Sequence, residues 1–166
     1  MLRKPALWFL LAATMTLSCV GSLLAQVPAQ SQGAVAPVYQ PSFGDLMTTA
    51  IQPRHVKLGL AGQERNWDYA AYELRELQGA FRRIGKAVPT YRSNDMAALI
   101  EATTSAPIDD VATAIKKGDA SRFAEAYAQL TATCNACHQS TGHAAVVIQI
   151  PRASSYPDQD FRPHQP

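Results

Sequence analysis

From Phe43 to about Ala61, the apolar residues Phe43, Leu46, Met47, Ile51, Leu58 and Ala61 recur at helical spacing, and Pro53 withdraws a backbone donor inside that run. The pattern predicts a first helix that kinks or restarts at Pro53 and ends at Gly62, with Asn66 capping the next. The second helix carries the clearest seam in the chain: Trp67, Ala70, Leu74, Leu77, Phe81 and Ile84 keep three-four spacing, flanked by Arg75, Glu76, Arg82 and Arg83. Val88-Pro89-Thr90 ends it, and Ser93 or Asn94 is the expected cap of a third segment through Met96, Leu99 and Ile100. Pro107 is expected to interrupt that segment. Ile108, Val111 and Ile115 then resume the pattern, with Asp109 and Asp110 at its start and Lys116 and Lys117 at its end, as the helix dipole favours. Gly118 closes this stretch. Asp119 caps a last long helix whose Phe123, Tyr127, Leu130, Cys134 and Cys137 lie on or near one face, and Gly142 stops it.

Four amphipathic helical regions with short links, and almost no strand signal before residue 146, predict an all-α fold: an antiparallel four-helix bundle. The apolar run Ala144 to Ile150, followed by prolines and polar residues, predicts an extended C-terminal tail over 146–166 that packs as a strap. At the other end, Leu2, Arg3 and Lys4 precede an apolar run from Pro5 through Val20, which reads as an export signal over 1–25. Small residues place its cleavage after Ala25 or after Ala29. An uncleaved anchor is the competing reading, but the purely apolar run falls short of the roughly 20 residues that span a bilayer. Thr16-Leu17-Ser18-Cys19 loosely resembles a lipoprotein cleavage site, with Leu17 one place out of position. Residues 26–41 hold three prolines and no helical period, which suits a flexible linker to a domain over 42–145.

The export signal changes the meaning of composition. The 166-residue chain has 15 Lys plus Arg against 13 Asp plus Glu, and losing Arg3 and Lys4 leaves the mature protein formally neutral. No basic field for nucleic acid exists. Cys19 leaves with the signal, so Cys134 and Cys137 remain and no cysteine is left for a structural disulfide.

Those two cysteines carry the chemistry. Cys134-Asn135-Ala136-Cys137-His138 is the C-x-x-C-H haem-attachment pattern. Residues three apart are neighbours on a helix, so the two thiols can reach the two vinyl groups on one edge of a porphyrin while His138 presents an imidazole nitrogen to the iron. Thioredoxin-like redox sites share the cysteine spacing, but they expect alternating strands and helices, absent from this pattern. Zinc would need further ligands beyond Cys134, Cys137 and His138 or His143. The expected cofactor is one covalent haem c.

A haem motif near the C-terminal end of an all-helical chain resembles the class II c-type cytochromes, the cytochrome c-prime group, over roughly Phe43 to Gly142. Only Cys134, Cys137 and His138 are specific to that resemblance. It implies a four-helix bundle whose first helix faces the far side of the haem, where some members supply a methionine to iron and others leave the position open. Met47 is the matching residue. The stretch Leu46-Met47 through Arg54 to Gly62, then Asn66-Trp67, is also similar to a set of small bacterial cytochrome-like proteins, a likeness that supplies no mechanism.

Met47 therefore stands as a candidate metal ligand beside His138, with a core-filling role as the plainer reading. His55, eight residues on, lies about 80° around an ideal helix from Met47. Beside Arg54 and Lys57 it reads first as a solvated side chain and second as an iron ligand. His143 reads as surface or propionate-binding, Met96 as core, and His164 as part of the proline-rich tail. Tyr127 and Trp67 read as core or as porphyrin contacts, and Arg82 and Arg83 as solvated or propionate-pairing. The expected function is electron transfer by a periplasmic protein that is not an enzyme, with low-spin iron and a redox protein as partner. The alternative is a five-coordinate haem binding or sensing nitric oxide or carbon monoxide. Peroxidase-like chemistry would have only His55 as its acid-base group. A homodimer is a further expectation, and membrane association is expected only if the N-terminal segment is retained.

Overall fold

The computed structural model describes residues 39–164. The export signal, both candidate cleavage points, Cys19 and most of the 26–41 linker lie outside the described residues. Ser42 opens the ordered helices. Its hydroxyl accepts the Asp45 N–H at 3.1 Å while the Asp45 carboxylate accepts the Ser42 N–H at 2.9 Å, a reciprocal capping box. Helix α1 (Phe43–Leu46) then runs through a π-helical turn (Met47–Ile51) into α2 (Gln52–Gln63).

That π turn is the form taken by the expected kink at Pro53. A proline has no N–H to give, and its ring crowds the carbonyl four residues back. Widening the preceding turn relieves both, and the Gln52 N–H reaches back to the Met47 carbonyl. One extra residue in a turn amounts to a rotation of about 100° at 3.6 residues per turn. The roughly 80° expected between Met47 and His55 on a straight helix is thereby reduced to about 20°. Both side chains line the same cavity.

Asn66 caps α3 (Trp67–Ala87), its side-chain oxygen accepting the Tyr69 N–H at 3.1 Å. The α3 seam is buried at Ala70, Leu74, Leu77, Phe81 and Ile84. Next comes a two-residue hairpin that the apolar pattern does not foreshadow: β1 (Thr90–Tyr91) pairs antiparallel with β2 (Asn94–Asp95), Thr90 opposite Asp95 and Tyr91 opposite Asn94. Its turn places Arg92 (φ 45°) and Ser93 (φ 69°) in the left-handed region. Neither Ser93 nor Asn94 therefore caps the following helix. Both are taken up by the hairpin, where the Asn94 amide donates to the Tyr91 carbonyl, and Asp95 accepts the Ala98 N–H instead.

Helix α4 (Met96–Lys117) passes through Pro107 without a break, contrary to the expected interruption. Ile100 and Thr104 before the proline and Ile108, Val111 and Ile115 after it are all buried, so tertiary packing outweighs the lost donor. Just upstream, the hydroxyls of Thr103 and Thr104 bond back to the Leu99 and Ile100 carbonyls, a pattern that bends helices. Gly118, at φ 63°, ends α4, and Asp119 caps α5 (Ala120–Ser140) by accepting the Arg122 N–H at 3.0 Å.

Consecutive helices pack side by side, α4 with α5 most extensively, then α2 with α3 and α3 with α4. Leu58, Leu77, Ile84, Met96, Val111, Tyr127 and Leu130 form the fully buried centre. Helix α2 meets α5 through two glycines: a Cβ at Gly59 would strike the Tyr127 ring, and one at Gly62 the Phe123 ring. Between α2 and α3, Arg54 donates to Glu73 at 3.2 Å, and Glu73 is only 1% exposed. From Thr141 to His164 the chain has neither helix nor strand. It is held by Gln63 on the Pro151 carbonyl, Asn66 on the Arg162 carbonyl, and buried Phe161 stacked on Tyr69. The chain is thus mainly α-helical, and among the described residues no helix is long and apolar enough to cross a membrane.

Candidate cofactor site

A cavity of about 450 Å³ opens among the helices, within the 300–1,000 Å³ usual for small-molecule and cofactor sites. Phe43, Met47 and Ile51 form one wall, Phe81, Met96 and Ile100 another, and Cys134, Cys137 and His138 project from the last turns of α5. His55 and His143 complete the titratable lining, and residues 146–149 close one edge. Met47, His55, Cys134, Cys137 and His138, far apart in sequence, therefore face one space. His164, Trp67, Arg82 and Arg83 are not part of its wall. Tyr127 lies behind it in the core, stacked between His55 and Phe123.

Three histidines border this cavity, and counting protons separates them. His55 is 3% exposed, which overturns its reading as a solvated side chain. It faces α5 although Arg54 and Lys57 flank it on the same helix. Its Nε2 lies 3.0 Å from the Thr131 hydroxyl and its Nδ1 3.1 Å from the Tyr127 hydroxyl. Thr131 gives its single proton to the Tyr127 carbonyl at 2.9 Å, so in the neutral ring Nε2–H donates to Thr131. The Tyr127 proton is shared between His55 Nδ1 and the His55 carbonyl, 2.8 Å away. Burial pushes the His55 pKa down to about 4, so the ring is neutral at ordinary pH. Both of its nitrogens are engaged by protein.

His143 is engaged in the same way. The Thr141 hydroxyl donates to the Cys137 carbonyl at 2.7 Å, which leaves it to accept His143 Nδ1–H at 3.2 Å. Nε2 then accepts from the Tyr91 hydroxyl at 3.0 Å. Tyr91 is in turn stacked on Phe43, so the small hairpin and the start of α1 share this rim.

His138 differs. Its Nδ1 is 2.6 Å from the Val146 carbonyl, which can only accept, so Nδ1 carries the proton. The lone pair is thereby on Nε2, which has no hydrogen-bond partner among the described residues. Asn135, within the same motif, holds the facing segment at two points: Oδ1 accepts the Ile148 N–H at 2.7 Å and Nδ2 donates to the Ile148 carbonyl at 2.9 Å.

The thiols are half-hidden and unpaired in a disulfide. Burial pushes the Cys134 thiol up to about 11, with a further rise from Cys137, and burial raises Cys137 as well. Among the described residues no cluster of three or more His, Cys, Asp or Glu side chains is placed to hold a metal ion.

The contacts of Asn135, Thr131 and Tyr127 are not evident from spacing alone. Tyr127, Thr131, Cys134 and His138 do recur at four-, three- and four-residue intervals, so the stripe itself is readable on α5. No family model, curated protein or solved structure matches the chain.

Proposed function

We propose that this chain is an exported, periplasmic c-type cytochrome with one haem c, working in electron transfer with a redox protein as partner, and not an enzyme. Cys134 and Cys137 hold the haem by thioethers, and His138 ligates the iron. The observation that carries this reading is the proton inventory of the cavity: of three histidines on its wall, His138 alone has a ring nitrogen lone pair with no partner among the described residues, and it directly follows the second cysteine. A metal-ligating histidine commonly donates its other N–H to a backbone carbonyl, which fixes the tautomer and ring orientation. His138 does so to Val146.

The residues present suit a macrocycle better than a bare ion. Among the described residues no cluster of three or more His, Cys, Asp or Glu side chains could hold a bare ion, whereas haem would bring four nitrogens of its own and ask the protein for few further donors. Phe43, Ile51, Phe81 and Ile100 supply apolar surface for a porphyrin. Bound there, haem supplies one-electron chemistry between ferric and ferrous iron. The protein would orient it through the two thiols and the His138 imidazole, exclude water with these apolar walls, and offer the Met47 thioether as a further donor to iron. The scaffold fits an antiparallel four-helix bundle of the cytochrome c-prime kind, with residues 146–166 as an extended strap.

A dithiol redox site is the weaker use of these cysteines. Such sites depend on thiolates stabilised at a helix N-terminus or beside a cation. Cys134 and Cys137 sit near the C-terminal, negative end of α5, and burial raises both. A five-coordinate haem that binds nitric oxide or carbon monoxide is favoured by one observation, the apolar character of Phe43, Met47 and Ile51 on the far wall. In that reading Met47 is a steric wall and no ligand.

Intact mass and optical spectra of the protein from a host competent in cytochrome maturation test the proposal. The expected product is coloured, heavier than the processed polypeptide by one haem, and low-spin. Met47→Ala then shifts it to high-spin, and replacing Cys134 and Cys137 by Ala abolishes covalent haem. High-spin protein insensitive to Met47→Ala would support the gas-binding reading. Colourless protein at bare polypeptide mass would end both.

A further inference from the structure

We infer that Asn135, one of the two variable residues inside the C-x-x-C-H motif, is a positioning residue that sets the donor strength of His138 through the segment from His143 to Ile148. The inference rests on the haem reading above and concerns how this chain tunes that site.

The geometry begins at the end of α5. The His143 N–H returns to the His138 carbonyl at 2.6 Å, and the Val146 N–H to the His143 carbonyl at 2.8 Å, so the chain doubles back beside its own helix. This brings the Val146 carbonyl to 2.6 Å from His138 Nδ1. Apolar burial does not hold it there, because Val146 is 52% and Val147 64% exposed. The nearest anchor downstream is the pair of hydrogen bonds between the Asn135 amide and the Ile148 backbone, which mimics one rung of a strand pair. The side chain of alanine at 135 has neither donor nor acceptor, so the carbonyl that receives the His138 proton would lose its downstream fixing.

A carbonyl accepting Nδ1–H makes the other nitrogen of the ring a stronger donor, which favours the more oxidised state of a bound metal. Loosening that carbonyl must therefore raise the reduction potential. Asn135→Ala should therefore shift the oxidised-to-reduced ratio toward reduced at fixed ambient potential, each tenfold of that shift being a midpoint rise of about 59 mV for one electron.

The test is potentiometric titration of the holoprotein as wild type, Asn135→Ala, Ile148→Pro and the double variant, each first weighed intact. Ile148→Pro removes the N–H from the other side of the clamp and lies outside the motif, so it serves even where Asn135→Ala impairs haem attachment. Both single variants should raise the midpoint, and the double variant should raise it no further than the larger single one, because the two act through one contact. A haem-bearing Asn135→Ala or Ile148→Pro protein with an unmoved midpoint would refute the role of Asn135, as would fully additive shifts. A wild-type protein at bare polypeptide mass would instead remove the haem reading and this inference with it.

Discussion

Acidifying the solution should destabilise this protein through His55. Burial holds its folded-state pKa at about 4, against an ordinary histidine value near 6.5. An unfolded chain therefore binds a proton at His55 between those two values while the folded chain does not, so stability rises with pH across that window. Read downward, stability is intact above about pH 6.5, falls progressively to about pH 4, and changes no further below it on this account. A shift of about 2.5 units at 1.36 kcal/mol per unit is about 3 kcal/mol, a large part of the 5–15 kcal/mol that folds a typical domain. Urea unfolding of the full mature protein at several pH values, for wild type and His55→Gln, measures it. Glutamine does not titrate, so the difference between the two curves isolates His55 from every carboxylate. The substitution will shift overall stability by disturbing Thr131 and Tyr127, but only the pH slope bears on the argument. Parallel curves between pH 6.5 and 4 would show that burial does not hold His55 neutral. They would mean that the hydroxyl oxygens of Tyr127 and Thr131, each able to accept from a ring N–H, replace the water an imidazolium loses on burial.

Arg54→Ala strands the buried Glu73 carboxylate, whose loss of a partner should cost about 3 kcal/mol in urea unfolding, near the low end for a broken buried pair because Arg54 itself is partly exposed. Adding Glu73→Leu should recover most of that loss, whereas no recovery would assign the cost to the Arg54 stem. Gly62→Ala drives a methyl into the Phe123 ring and should lower stability by about 1–3 kcal/mol in thermal unfolding. Combining it with Phe123→Leu should cost less than the sum of the two changes, and strict additivity would disprove the clash.

What the sequence discloses here is what its chemistry settles locally. The α3 seam, the caps at Asn66 and Asp119, and the turn at Gly118 each depend on residues a few places apart, and each forms where the pattern puts it. The C-x-x-C-H run is contiguous, so its place on the apolar face of a helix follows from spacing, whereas the cavity it faces is closed by residues of other helices. His55 could not be read this way, because its partners Tyr127 and Thr131 are 72 and 76 residues distant. Its local neighbours, Arg54 and Lys57, point to water instead. Pro107 fails as a breaker for a related reason: buried residues on both sides of it hold α4 together, and no local rule reports burial. The hairpin at Thr90–Asp95 is too short to show alternation, yet it takes the two residues that would otherwise cap α4.

The two candidate donors on the first helix illustrate how long-range structure decides between residues that sequence leaves level. The π turn before Pro53 gives Met47 and His55 nearly the same azimuth, so direction alone does not choose between them. Their partners do. For His55 to offer a nitrogen to iron it must leave Thr131 or Tyr127, giving up a hydrogen bond whose net contribution is about 0.5–1.5 kcal/mol and exposing a buried hydroxyl to a further penalty of about 1–3 kcal/mol. Its ring would also break a stack on Tyr127 at 4.8 Å. The Met47 thioether forms no hydrogen bond among the described residues, and its flexible stem already borders the cavity. On the proposed reading, then, freeing His55 for iron would carry a cost of a few kcal/mol that freeing Met47 would not. His55 serves the fold, tying α2 to α5 at the cavity wall.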